Sequence, residues 1–273
     1  MPEFNIYSPK EISNRIISAG VAKGKMILLS LVMLGVLAGA FIGFGALFYT
    51  IIVSDNSLSY ASARVIGGLC FSLGLVMVVI AGAELFTGNI LITMAWVDGK
   101  VSLEQLLRNW IVAFISNTAG AAGLALLVFL SGSWAMNSGV IGQTYLKIAI
   151  EKSTTPFWEL FFLGVLCNNL VCLAIWMSFA GRTVLDKCIA VIFPVTAFVA
   201  AGFEHSIANL YFYSIAGLLK MNGHPLPNNA EFISIPGALH NLVPVIMGNV
   251  IGGSLLVAVI YWIIYRRKRP KLI

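Results

Sequence analysis

Two phrases decide how this chain is read: "AGAELFTGN" at residues 81–89 and "AGFEHSIAN" at residues 201–209. Both follow A-G-x-E-x-x-x-x-N, they lie 120 residues apart, and each sits inside a long apolar stretch. A carboxylate is costly in such surroundings. Its recurrence at the same place in the same phrase points to a duplicated element with a shared structural need. The copies differ where it matters chemically: His205 stands where the first copy has Leu85.

The surroundings are those of a membrane protein. Of 273 residues, 59% are hydrophobic and 10% charged, against about 25% charged in a soluble domain. Mean hydropathy is +0.93. Six stretches are long enough to span a bilayer, which takes roughly 20 apolar residues: 27–53, 62–97, 109–131, 157–179, 187–219 and 237–265. The expectation is an all-α integral membrane protein of six transmembrane helices with no soluble domain. Residues 1–26 do not read as a cleaved signal peptide. Ser8-Pro9 followed by Glu11 reads as a helix start, and Ile12, Ile16 and Ile17 share a face, as in a short interfacial helix. Residues 27–265 form the expected channel domain, and 266–273 a basic tail.

If the N-terminus is cytoplasmic, 13 of the 17 Lys and Arg residues fall on that side of the six spans. The bias places both termini in the cytoplasm of a multi-pass protein of the cell (cytoplasmic or inner) membrane. The tail "RRKRPK" reads as an anchor beside anionic lipid, not as a nucleic-acid site. Cys70, Cys167, Cys172 and Cys188 contain no C-x-x-C pair and read as small hydrophobes in apolar segments.

A second pair of phrases extends the repeat. "RNWIVAFISNTAG" begins at Arg108 and "HNLVPVIMGNVIG" at His240, so Asn109, Asn117 and Gly120 correspond to Asn241, Asn249 and Gly252. Each half then holds three spans. An odd number turns the second half upside down, giving an aquaporin-like inverted repeat of three plus three about an axis in the membrane plane.

Length requires interruption. As single helices, residues 62–97 and 187–219 would run to about 54 and 50 Å at 1.5 Å per residue, against a hydrocarbon core of about 30 Å. The polar phrases lie inside these two stretches. Gly82, Gly88, Pro194 and Gly202 weaken continuous helix there. Spans two and five are therefore expected to break at membrane depth, which is tolerated only where the backbone is buried in protein or lines a water-filled path. Glu84 and Glu204 are expected to accept the freed N–H groups, with Asn89 and Asn209 capping or bridging. These four read first as structural support of the breaks.

His205 is the one histidine at membrane depth, whereas His224 and His240 read as residues of an external connection. A histidine beside a helix break and outside the repeat pattern is a candidate working group, since His changes charge near neutral pH. Thr87 stands opposite in the other break and offers a hydroxyl. Phe71, Leu75 and Phe198 precede the breaks and are candidates for an apolar throat. Leu85 and Phe86 complete the candidate constriction. The glycines of the first and last spans, Gly35, Gly39, Gly43 and Gly45, then Gly248, Gly252 and Gly253, report close helix approach. No Walker loop, H-E-x-x-H or G-x-S-x-G is present, so no enzyme, metal or cofactor is expected.

"AGFEHSIANLY", "CNNLVCLAIWMSFAGRTVLDK" and "AGAELFTGN" resemble the signature stretches of the formate/nitrite transporter family, and the similarity runs along essentially the whole chain. The resemblance implies a homopentamer of aquaporin-like protomers, each with its own pore for formate, nitrite or hydrosulfide. It assigns His205 to the central pore histidine and Thr87 to the threonine of the interrupted second span. It assigns Lys152 to the external vestibule, Asn168 to a polar pore position and Lys23 to the cytoplasmic mouth. It matches Phe71, Leu75 and Phe198 to constriction positions. The expected function is passage of a small monovalent weak-acid anion, formate first, through a proton-coupled or pH-dependent His/Thr site. A neutral-solute channel of the same architecture is the alternative. A membrane enzyme lacks a nucleophile or cofactor pattern, and a pure scaffold gives no reason for two buried polar breaks.

Overall fold

Both phrases fall where one helix ends and the next begins. The computed structural model describes residues 6–267, all of whose regular elements are helical. The tail residues 268–273, and residues 1–5 of the N-terminal segment, lie outside the described residues.

Helix α1 (Pro9–Gly24) opens with a capping box: the Glu11 N–H donates to the Ser8 hydroxyl, and the Ser8 N–H donates to the Glu11 carboxylate. The Ser8 hydroxyl and N–H hold the Glu11 carboxyl below the usual carboxylate range. Ile12, Ile16 and Ile17 are buried against the segment after the first break. The apolar face of α1 is thus used on the protein itself. Tyr7 ties this end down further. Its N–H donates to Ala180 O, and its ring lies between the Arg15 and Arg182 guanidinium groups.

Helices α2 (Leu28–Val53) and α3 (Tyr60–Ala81) follow. After the break come α4 (Phe86–Asn89), a 3-10 turn (Ile90–Ile92), α5 (Thr93–Val97) and the long α6 (Leu103–Leu130). The second half repeats the plan: α7 (Val140–Thr154), α8 (Phe157–Ser178) and α9 (Val184–Ala200), then after its break α10 (Ser206–Met221) and α11 (Ile235–Gly253). A π-helical turn (Ser254–Val259) leads into α12 (Ile260–Tyr265). Five helices are long and apolar enough to cross a membrane, including the run Ile235–Tyr265, and Phe86–Val97 is a shorter apolar one.

Each break starts with a left-handed glycine, Gly82 at φ +84° and Gly202 at φ +78°. Just past it, the N–H of Ala83 reaches back to Val78 O and that of Phe203 to Phe198 O, the closing bond of a Schellman cap. Pro194 does not mark a break: α9 runs through it to Ala200. Gly88 likewise lies inside α4, where the missing side chain admits Ile175 of α8.

Glycine contacts set the helix crossings. A methyl group on Gly39 would clash with Asn117 O of α6, and one on Gly120 with Val36 O of α2. The second half matches this, with Gly248 and Gly252 of α11 against the Phe161 and Val165 carbonyls of α8. Backbones this close hold the asparagines of α6 and α11 directly behind the two breaks. Between the halves, α3 packs on α9 and α6 on α10.

Candidate functional site

A break exposes backbone groups that membrane depth cannot hydrate. The structure assigns them to two asparagines rather than to the glutamates. Phe86 N donates to Asn117 Oδ1 (2.8 Å), while Asn117 Nδ2 donates to Gly35 O (2.8 Å) and Glu84 O (2.9 Å). In the second half, Ser206 N donates to Asn249 Oδ1 (3.1 Å), and Asn249 Nδ2 donates to Gly164 O (2.9 Å) and Glu204 O (3.0 Å). The expectation that the carboxylates take the freed amides is corrected here. Each asparagine is fully buried and bridges three backbone groups from two helices.

The carboxylates instead face lysines. Lys23 Nζ lies 2.6 Å from Glu84 Oε1 and 2.9 Å from Asn89 Oδ1, and Asn89 Nδ2 donates to Glu84 Oε2 and to Asn109 Oδ1. Asn109 closes the ring by donating to Lys23 O. Lys152 Nζ lies 2.7 Å from Glu204 Oε1, and Asn209 Nδ2 donates to Glu204 Oε2 and to Asn241 Oδ1. Asn241 donates to Lys152 O. The two rings use the same four residues, Lys, Glu, Asn and Asn, in the same order. They differ at two bonds: Asn209 Oδ1 is buried without the lysine contact that Asn89 Oδ1 has, and Asn241 Nδ2 also donates to Glu204 Oε2 (3.1 Å). Lys23 and Lys152 come from α1 and α7, which makes α7 the counterpart of the N-terminal helix.

Two cavities open toward opposite ends of this core. One, of about 280 Å³, is lined by Arg15, Lys23, Glu84, Leu85, Gly88, Asn89 and Lys187 among others. The other, of about 310 Å³, is lined by Arg64, Phe71, Lys152, Phe198, Glu204, His205 and Asn209 among others. They share no lining residue. Between them Thr87 Oγ1 lies 2.9 Å from His205 Nε2. His205 lines the second cavity, Gly88 beside Thr87 lines the first, and Thr87 itself is buried. This contact is the polar link across an otherwise apolar plug.

The plug is aromatic on the His205 side. Phe198 stacks on the imidazole at 6.0 Å, and Phe71 meets Phe198 edge-on at 5.8 Å. Leu75 is buried on the same helix as Phe71. Leu85 lines the first cavity. Phe86 lines neither and packs edge-on against Phe114 at 5.3 Å. Asn168 also lines neither; its amide donates to Asn249 O at 2.8 Å, one step behind the second break.

The capping role of His205 defines its tautomer. It is the N-cap of α10, and its Nδ1 accepts the Ala208 N–H at 3.2 Å. A backbone amide only donates, so Nδ1 carries no proton in this arrangement. The ring proton of the neutral imidazole then sits on Nε2, directed at the Thr87 hydroxyl. Arg64 serves the other helix end at this break, donating through Nε to Ala200 O (2.9 Å) and through Nη2 to Val199 O (2.8 Å) at the C-terminus of α9. That role for Arg64 carried no signal in the sequence. The roles of Asn117 and Asn249 did: both halves place two asparagines eight residues apart, which is close to one helix face.

Comparison with known proteins places this geometry. The formate/nitrite transporter family model matches residues 10–263. The chain is 37% identical over 275 residues to the formate channel FocA of Escherichia coli K12, covering 97% of this chain and 96% of that protein. It is similar in structure to a pentameric formate channel with formate bound (TM-score 0.79, 35% identity, 88% of this chain and 98% of that one). It is also similar to a channel described as an FNT family ion channel (TM-score 0.82, 28% identity, 93% and 98%). An all-helical protein with several apolar helices, and a match of this extent, leave one assignment: the chain belongs to the formate/nitrite transporter family and is a multi-pass membrane transport protein rather than an enzyme.

Proposed function

We propose that the protein is a channel for a small monovalent weak-acid anion, formate first, with nitrite and hydrosulfide as the nearest alternatives. The observation that carries this reading is the pair of opposed cavities closed to each other by apolar side chains and joined by the Thr87–His205 contact. The similarity to a formate-bound channel supports the choice of substrate. An anion loses hydration on entering an apolar throat, at high cost. The neutral conjugate acid escapes most of that cost. In our reading the Nε2–H of His205 is the group that meets the anion at the centre, with Thr87 orienting it. The Ala208 N–H on Nδ1 supports a neutral, proton-donating ring over a fixed positive charge. Lys23 and Lys152, each partly exposed beside its carboxylate, draw the anion into the vestibules. Phe71, Leu75, Phe198 and Leu85 form the constriction, and Glu84, Asn89, Glu204 and Asn209 hold the breaks.

In the same reading the chain crosses the membrane six times. The crossings are α2, α3 with α4–α5, α6, α8, α9 with α10, and α11–α12, in two halves related by an inverted repeat. The mirrored hydrogen-bond rings support this arrangement. Residues 6–26 and the end of α12 flank the channel domain on the cytoplasmic face, and its apolar outer surface meets membrane lipid. The protein assembles as a homopentamer and has no nucleic-acid partner.

The test is uptake of labelled formate into proteoliposomes with nitrite and hydrosulfide as competitors. His205→Asn keeps a polar side chain and loses the titrating group, so formate flux loses its pH dependence while a leak persists. Thr87→Val loses one hydrogen bond at nearly constant volume and slows flux by up to roughly tenfold, the equivalent of about 1.5 kcal/mol. A His205→Asn protein matching the parent in rate and pH profile overturns the role given to His205.

A further inference from the structure

The two halves match so closely that their departures from one another carry information. Glu84 N donates to Leu34 O of α2 (3.2 Å), and Glu204 N to Leu163 O of α8 (3.3 Å). Gly35 O of α2 and Gly164 O of α8 receive the amides of Asn117 and Asn249. These pairs set α2 and α8 in register at a spacing of 129 residues. In that register Asn168 and Cys172 of α8 stand where α2 has Gly39 and Gly43. Thr87 likewise stands where the second phrase has Ile207, and His205 where the first has Leu85.

These four polar departures from the repeat are joined to one another. Thr87 Oγ1 meets His205 Nε2 at 2.9 Å, and the Cys172 thiol donates to Thr87 O at 3.6 Å. Asn168 Nδ2 donates to Cys172 Sγ at 3.7 Å and to Asn249 O at 2.8 Å. Asn249 Oδ1 in turn accepts from Ser206 N, the residue after His205. All of these residues are buried. The two breaks are therefore linked twice, once through the Thr87 and His205 side chains and once behind them. Helix α11 makes room for the second path: Gly253 stands where α6 has Ala121, and a methyl group on it would meet the Asn168 amide and the Cys172 sulfur.

We propose that Cys172, backed by Asn168, is a positioning residue of the transport site: its thiol fixes the Thr87 carbonyl and so aims the Thr87 hydroxyl at His205. The inference rests on the Thr87–His205 reading above. Thr87 lies in α4, a helix of four residues, and so short a helix does little to hold itself in place. Its aim is therefore set by what packs against it. On one side Ile175 of α8 fills the space left by Gly88, and on the other Cys172 of the same helix holds the carbonyl. A thiol suits this place, since it packs as a small hydrophobe and still offers a weak donor.

The experiment is a double-mutant cycle on initial uptake of labelled formate into proteoliposomes holding the full-length protein. Its members are the parent, Cys172→Ala, Thr87→Val and Thr87→Val/Cys172→Ala, with Cys172→Ser beside them. Glycine at the mirrored position, Gly43, argues that the fold accepts a small residue there, and melting temperatures check it. Cys172→Ala slows uptake about two- to fivefold, the loss of one weak hydrogen bond. The double variant is no slower than Thr87→Val alone, because aiming a hydroxyl matters only where there is one. Cys172→Ser restores a donor and recovers most of the uptake lost in Cys172→Ala. A thiol that merely fills space gives the other pattern, equal losses in both backgrounds and no recovery by serine. That pattern, or Cys172→Ala matching the parent while Thr87→Val is slow, overturns the proposal and leaves the role of Thr87 intact. Thr87→Val matching the parent overturns both.

Discussion

Asn117 and Asn249 show how much a single side chain carries at membrane depth. Each amide accepts one backbone N–H and donates to two carbonyls, and no water stands ready to replace it. Replacing either by leucine preserves the size and strands three polar groups. At about 1–3 kcal/mol for each stranded group, Asn117→Leu and Asn249→Leu each cost about 3 kcal/mol or more. Thermal melting of the purified protein in detergent reads this directly. A melting temperature within a degree of the parent would show that the breaks stand without their clamps. His205 is a different kind of residue. It caps a helix through one nitrogen and meets Thr87 through the other, so its two roles are separated on a single ring.

Helix crossings carry the next level of control. Gly120 and Gly252 sit where neighbouring backbones leave no room for a side chain, and each is three residues from the asparagine that clamps a break. Gly120→Ala or Gly252→Ala therefore forces two helices apart and shifts the clamp, at about 1–3 kcal/mol of overpacking. Gly123 of α6 has open space around its Cα, and Gly123→Ala is neutral or stabilising, by up to about 1 kcal/mol. Comparing the melting temperatures of these variants separates crowding from helix propensity. At this scale much of the design was legible in the sequence. The excessive length of two apolar stretches, and the glycine and carboxylate inside each, located the breaks at residues 82–85 and 201–205. What escaped was the arrangement around them. α7 lies in a stretch that hydropathy passes over as a connection, because its apolar face is only as wide as the contact it makes. The π-helical turn at Ser254–Val259 left no mark in composition. Pro194 suggested a break and lies inside an unbroken helix, since local propensity yields to packing between α9 and its neighbours.

For the whole molecule, the sequence exposed the duplication but not its depth. The phrase pair 81–89 and 201–209 gave the breaks, yet the lysines that complete the two rings, Lys23 and Lys152, lie 129 residues apart and share no phrase. Only folding shows them as equivalents. The outward surface is apolar around the molecule, with Phe44, Phe48, Leu127, Trp158, Phe162 and Phe193 all exposed. Lipid and sister protomers are the surroundings such a surface fits. If the protein assembles as the proposed homopentamer, the purified protein is expected to have a detergent-corrected mass of five protomers. A mass of one protomer, from light scattering with the detergent contribution subtracted, counts against that assembly.

The correspondence of α1 with α7 also bears on how the chain is made. Three crossings separate the two helices in the proposed topology, so they finish on opposite faces of the bilayer. One of them must be carried through the membrane during synthesis, together with its basic side chains. If the termini are cytoplasmic, as proposed, that helix is α7, bearing Lys147 and Lys152. Moving lysines across runs against the usual charge bias of insertion. In that topology the insertion machinery handles two repeated halves by opposite rules: one is retained by its positive charge, and the other is exported in spite of it.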